Sequence, residues 1–299
     1  MAERSRQPRP SPPNAALRGG WHAVVGLSRA LGPARYAVAD GIAMAVYALD
    51  PRRRGNAQRN HRRLDPGIDL RESRRRARRS FREYGRTTAD FFWANGMSDA
   101  TVRRRSIVHG MEHVTAAREQ GRGGVITMGH YGNWDMGALA AIARDVPLTT
   151  VMAPLGPPPF TELVLWARQR NQIEVHTPQN AARALLRALK RNRLVGLMSD
   201  IPGAGPTVDV DYCGGPVPFS TVPAWLALRT GAPLLPAHCT RHSRAVFEIV
   251  IHPAVEVREG DDERAIMQRV AAVLEAAVRQ RPGQWYPFGQ VYADAAPRA

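Results

Sequence analysis

Cysteine is scarce in this chain: its 299 residues hold two, Cys213 and Cys239. They form no CxxC unit, and no Cys/His cluster has zinc-ligand spacing, so a reduced, metal-free interior is expected. Lysine is scarcer still, with Lys190 the only one, so the basic charge is carried by arginine. Long apolar runs are also missing. Trp21–Ser28 and Tyr36–Leu49, parted by Gly32-Pro33 and interrupted by Arg29, Arg35 and Asp40, are each shorter than the ~20 residues of a bilayer span. No GxSxG is present, which removes the usual setting for a covalent serine. The glycines at 203, 205, 214 and 215 make neither GxGxxG nor GK[ST], so a nucleotide loop is poorly supported.

What the chain does have is positive charge in one place. The formal net charge is +16. Residues 51–86 hold fourteen arginines against Asp65, Asp69, Glu72 and Glu83, and so supply +10 of it. A localised basic block implies a polyanionic neighbour, either phosphate backbone or anionic headgroups; a solvated helix face is the plainer alternative. The two short apolar segments just before it suit a hairpin of interfacial helices lying on anionic lipid. Residues 1–16, rich in Arg, Pro and Ser, read as a disordered tail without the order of a signal peptide.

From about residue 70, Leu70, Ala77, Phe81, Tyr84, Thr88 and Phe91-Phe92-Trp93 mark a long basic-to-apolar helix. Beyond residue 105, strand-like runs at Val125–Met128, Leu148–Met152, Ile173–Val175 and Leu194–Met198 alternate with helix candidates at 133–144, 159–171 and 179–192. That alternation predicts an α/β fold with a mixed, largely parallel sheet flanked by helices. Val208–Tyr212, Pro233–His238 and Val246–His252 read as further strands, and Pro223–Thr230 and Asp262–Arg279 as helices. The division expected is a helical, Arg-rich region over 17–104, an α/β region over 105–292 and a tail over 293–299.

The most informative stretch is Gly124-Val-Ile-Thr-Met-Gly-His-Tyr-Gly-Asn-Trp-Asp135. A β-branched run breaks at Gly129, presents His130 and restarts as a helix carrying Asp135, with Asn133 as its N-cap. His130 and Asp135 meet only if the histidine lies on the turn and the aspartate in the first helical turn. A carboxylate on one imidazole nitrogen would fix the tautomer and leave the other nitrogen to take a proton. A surface histidine and a capping aspartate that never meet is the alternative. Asp200 ends another apolar strand, which would set it beside His130 in the crevice at the strands' carboxyl ends; an Asp that simply opens a turn fits as well. Arg168 and Arg170 close a helix, where they would bind an anion or complement the dipole. Cys213 reads as a small buried filler. Trp285-Tyr-Pro-Phe reads as an aromatic clasp.

Three blocks in order resemble the lauroyl/myristoyl lipid A acyltransferases and the related phosphatidylinositol mannoside acyltransferases. Gly129-His-Tyr-Gly-Asn-Trp-Asp135 is similar to the family's HX4D/E signature, and Arg168–Glu174 to its Arg-containing helix end before a strand. Leu194–Asp200, Val208–Pro218 and Pro223–Pro236 are similar to its Asp-terminated strand, β segment, helix and apolar strand. The resemblance implies a glycerolipid-acyltransferase-like fold on the cytoplasmic face of the plasma membrane, peripheral or monotopic. It implies His130 and Asp135 as catalytic pair, with Arg170, Arg168, Asp200 and Asn133 toward substrate. The implied reaction uses acyl-CoA or acyl carrier protein as donor, a glycolipid or phospholipid hydroxyl as acceptor, and no bound cofactor or metal. Anionic membrane lipid is the expected partner rather than nucleic acid, since the basic block lacks the interleaved aromatics of a stacking platform. A silent, membrane-associated homologue remains the other reading.

Overall fold

Helices fill the chain from Ala15 to Arg104 in the computed structural model, which describes residues 13–201 and 205–292. They are α1 (Ala15–Ala30), α2 (Arg35–Leu49), α3 (Pro51–Leu64), α4 (Leu70–Ala94) and α5 (Asp99–Arg104). Four starts are set by side-chain caps: Asn14 accepts from the Leu17 N–H, Asp50 from Arg53, Asp69 from Glu72 and Ser98 from Thr101. One expectation changes here. The N-terminal tail ends before Ala15 rather than at residue 16, because Asn14 caps α1; residues 1–12 lie outside the described part. The Arg-rich stretch through Asn60-His61 lies on α3, which Asp50 caps and Pro51 opens at the first helical position.

The α/β part follows as β1 (Ser106–His109), α6 (Met111–Glu119), β2 (Gly124–Met128), α7 (Trp134–Ile142), β3 (Leu148–Val151) and α8 (Pro158–Arg170). Next come β4 (Glu174–His176), α9 (Ala181–Lys190), β5 (Leu194–Met198), β6 (Thr207–Asp211), β7 (Pro216–Ser220) and α10 (Val222–Thr230). The chain closes through β8 (Leu234–Ser243), β9 (Val246–Ile251) and α11 (Glu263–Gln280). Seven strands form one sheet in the order β1-β9-β8-β2-β5-β3-β4, parallel at every neighbour except the β8–β9 hairpin. The sheet is therefore mixed and largely parallel, with helices on its faces. β6 and β7 form a separate antiparallel pair. The proposed tail over 293–299 lies outside the described residues.

One core cluster joins Val125, Val195 and Leu234 of the sheet to Leu226 of α10 and to Ile266, Val270 and Leu274 of α11. A second joins Leu148, Leu194 and Leu235 to Met136 and Ala140 of α7 and Val164 of α8. At ~25 cal/mol per Å² of apolar surface removed from water, these two layers are the main stabilising term.

The helical region docks onto the sheet through charge as well as packing. Asp90 of α4 is fully buried between Arg35 of α2 and Arg241 of β8, and Tyr36 donates to it at 2.8 Å. Burial pushes the Tyr36 phenol up to about 12, with the Asp90 charge adding to the rise. Buried charges survive only when paired and hydrogen-bonded. Removing any one member would leave the others uncompensated.

Outward, α1 and α2 expose Val24, Leu27, Val38, Ile42, Val46 and Leu49. On α2 the first three lie at helical spacing along one stripe. Among the described residues, no helix is long and apolar enough to cross a membrane.

Candidate active site

Register decides which side chains meet. β2 and β5 are parallel neighbours with Met128 opposite Met198. Gly129-His130 and Ser199-Asp200 therefore leave the sheet side by side at its carboxyl edge. Ser199 is tied down on both sides: its N–H donates to Met128 O at 2.9 Å, and its own carbonyl accepts from Ser220 N at 2.9 Å. Its hydroxyl meets Thr127 Oγ1.

Asp200 accepts twice from His130, at 2.7 Å from the backbone N–H and at 2.7 Å from the ring Nδ1. The aspartate side chain is 4% exposed and the histidine 29%. A carboxylate this buried needs such donors, and the ring N–H supplies one. Nδ1–H donation fixes the tautomer with a lone pair on Nε2, to which no described residue is bonded. Gly129 keeps the space for this pairing, since a Cβ there would stand 3.0 Å from Asp200 Oδ2. The buried Tyr212 hydroxyl, which has no hydrogen-bond partner among the described residues, would be 3.3 Å from the same point.

Asp135 does not meet His130. It lies in the first turn of α7, but its carboxylate is gripped in bidentate fashion by Arg168 at the end of α8, at 2.9 and 3.2 Å. The expected His130–Asp135 pair is thus replaced by His130–Asp200 and Asp135–Arg168. The reason is topological: the strand beside β2 delivers a carboxylate straight to Nδ1, whereas Asp135 turns toward a full guanidinium fork.

Asn133 caps α7 as expected, accepting from Met136 N at 3.1 Å. It is also almost fully buried, and its Nδ2 faces Asp90 at 3.5 Å. An amide engaged at both ends is not open to substrate, so Asn133 is corrected to a support of the loop. Arg170 is exposed and stacks on Trp166 at 4.8 Å, bonded to neither His130 nor Asp135. Cys213 is buried, as is Cys239, and both are free thiols. Burial pushes the Cys213 thiol well above its usual range. Among the described residues, no group of three or more His, Cys, Asp or Glu side chains is placed to hold a metal ion.

Sequence reasoning missed the residues that hold the loop from behind. Gln284 O accepts from Gly132 N at 2.8 Å, and Tyr286 N donates to His130 O at 3.2 Å. The Tyr286 hydroxyl donates to Gly132 O at 2.9 Å and contacts Thr87 Oγ1 of α4 at 3.1 Å. Trp285 and Tyr286 are buried, so the expected aromatic clasp joins α4 to the histidine loop. Its aromatic run was a visible signal; its target was not.

An α/β sheet presenting a carboxylate-held histidine with an open Nε2 at its strand ends has the geometry that general-base chemistry requires. Comparison with known proteins supplies the family. Residues 19–292 match the model of the bacterial lipid A biosynthesis acyltransferases, and the chain belongs to that family. It is an acyltransferase.

The phosphatidylinositol mannoside acyltransferase of Mycobacterium tuberculosis is 30% identical over 213 residues, 69% of this chain and 67% of that protein. The enzyme of that name from Mycolicibacterium smegmatis is 28% identical, covering 70% and 69%. The lipid A biosynthesis acyltransferase of Haemophilus influenzae is 23% identical, covering 62% and 58%. A solved 1-acyl-sn-glycerophosphate acyltransferase from Thermotoga maritima is similar at 14% identity and a TM-score of 0.38, over 87% of this chain and 99% of that one; so slight a likeness carries no weight.

Proposed function

We propose that this protein moves a fatty acyl chain from the thioester of acyl-CoA or acyl carrier protein to a hydroxyl of a membrane glycolipid or phospholipid. The observation that carries the reading is the 2.7 Å His130 Nδ1–Asp200 contact with Nε2 left open, in a chain of an acyltransferase family. Two of the relatives described above are named for a mannosylated phosphatidylinositol, which favours a glycolipid acceptor.

In this mechanism Nε2 takes the proton of the acceptor hydroxyl as its oxygen attacks the thioester carbonyl. Asp200 steadies the imidazolium that forms. The tetrahedral intermediate then collapses, the C–S bond breaks, and the leaving thiolate recovers the proton from Nε2, giving ester and free thiol. The backbone N–H groups of residues 130–133 cannot hold the oxyanion, because they already donate to Asp200, Gly129 O, Gln284 O and Cys239 O. Of the first-turn N–H groups of α7, that of Met136 is taken by the Asn133 cap, which leaves those of Trp134 and Asp135 as the donors for the oxyanion. Asp135 and Arg168 brace the α7–α8 wall, and Arg170 offers an exposed cation to an anionic group of donor or acceptor. The apolar stripe on α1 and α2 and the basic α3–α4 surface would seat the enzyme on anionic lipid at the cytoplasmic face, without a span.

The test is radiolabelled acyl transfer from palmitoyl-CoA to a total membrane lipid extract, wild type against His130→Ala. Labelled lipid made by wild type alone supports the reading and identifies the acceptor. Equal label from both removes His130 as base. Absence of product with CoA and carrier-protein donors alike overturns the acyl-transfer reading.

A further inference from the structure

Apart from the histidine site, the molecule contains a cavity of about 230 Å³ between the first half of α4 and the turn that follows α11. Glu72, Arg75, Arg76 and Arg79 line one side, on positions i, i+3, i+4 and i+7 of a single helical face. Arg281 and Gly283 line the other. Four guanidinium groups thus surround one carboxylate.

The carboxylates within reach are already used. Glu72 is shared by Arg75, at 2.5 and 2.7 Å, and Arg76, at 2.9 Å. Arg76 also reaches Asp65, and Arg281 is held by Glu248 at 2.9 Å. Arg79 has no hydrogen bond or ion pair with any described residue, so all five of its N–H donors are unspent. Its side chain lies directly across Gly283, where a Cβ would meet Arg79 Cδ at 2.4 Å and Cγ at 2.6 Å. The glycine lets the arginine rest on the turn with its charge in the cavity.

Arg75, Arg76 and Arg281 are each matched by a carboxylate, so the exposed Arg79 is left as the uncommitted guanidinium fork that an incoming anion would meet. The space is several times the ~30 Å³ share of one water molecule. Planar guanidinium forks suit tetrahedral phosphate oxygens better than any other common anion except carboxylate, and the cavity's shape offers donors from two sides.

We propose that this cavity binds a phosphate group, with Arg79 as the principal ligand and Arg75, Arg76 and Arg281 completing the field. The site is independent of the acyl-transfer reading, although its floor continues into Gln284 and Tyr286, which hold the His130 loop. Two sources carry the same chemistry: an anionic phospholipid headgroup, or the phosphates of a soluble donor such as coenzyme A.

The experiment uses the full chain in a His130→Ala background, so that turnover plays no part. Calorimetric titration with inorganic phosphate and with coenzyme A is run beside flotation on phosphatidylcholine vesicles with or without phosphatidylinositol. Arg79→Gln and Gly283→Ala are compared with Arg82→Gln, an exposed arginine of α4 outside the cavity, after thermal melts confirm that each is folded. Saturable phosphate binding weakened at least about tenfold by Arg79→Gln, and weakened by Gly283→Ala but not Arg82→Gln, is expected. Loss of phosphatidylinositol-dependent flotation in Arg79→Gln, with coenzyme A binding absent, assigns the group to a lipid headgroup. Arg79-dependent coenzyme A binding with unchanged flotation assigns it to the donor. Equal weakening by Arg79→Gln and Arg82→Gln, or no saturable binding of any probe, overturns the proposal and leaves a solvated basic face.

Discussion

Asp200, buried, and Asp135, partly buried, are carboxylates near the same edge of the sheet, yet their partners differ in kind. Asp200 accepts two hydrogen bonds from His130, while Asp135 accepts two from Arg168. The first pair joins a permanent charge to a group that can change its protonation; the second joins two permanent charges. On the proposed mechanism, a proton-transfer site and a brace are built from the same residue type, and what faces the carboxylate sets them apart.

The largest effect should come from breaking the first pair. Asp200→Asn is expected to lower kcat by roughly 10²–10⁴, because the amide no longer fixes the tautomer that leaves Nε2 basic. Asp135→Asn should cost less than about tenfold in kcat while destabilising the fold by ~1–3 kcal/mol, since Arg168 is left partly buried without its partner. Steady-state acyl transfer and urea unfolding of the two variants check both halves.

A smaller effect sharpens the contrast at a second histidine. His61 of α3 is fully buried against Ser80 Oγ at 2.9 Å, with no carboxylate bonded to it. Burial, reinforced by the Arg76 charge, lowers it from the ordinary 6.5 to about 4. Between those values the unfolded chain binds the proton and the folded one does not, so stability is full above about pH 6.5 and falls as pH drops toward 4. The drop is about 3 kcal/mol at most. Unfolding free energy measured across that window should fall less steeply in His61→Gln than in wild type; parallel curves would contradict the assignment.

Much of this was legible in the sequence for a physical reason. The apolar runs ending at Met128 and Met198 read as strands by composition, and strand ends are where α/β sheets gather functional groups, so His130 and Asp200 could be placed at one edge. Which carboxylate reached the imidazole depended on β5 lying beside β2, a tertiary fact that spacing along the chain does not carry. The HX4D spacing favoured Asp135, and only Arg168, thirty-three residues away, explains why that side chain turns elsewhere. β7 escaped notice because Pro216 and Pro218 argue against a strand, and it survives as half of an isolated two-stranded pair. α6 follows Gly110, a left-handed residue that offers no side-chain cap, so no start signal marks it. The buried Arg35–Asp90–Arg241 junction was equally invisible, since each member reads alone as surface charge.

The measurement that bears most directly on the account is nitrogen NMR of the His130 imidazole in wild type, Asp200→Asn and Asp135→Asn. A hydrogen-bonded Nδ1–H in wild type, retained in Asp135→Asn and lost in Asp200→Asn, is the result the account predicts. Loss of that signature in Asp135→Asn with retention in Asp200→Asn would contradict it, and would return the imidazole to the aspartate five residues along the chain.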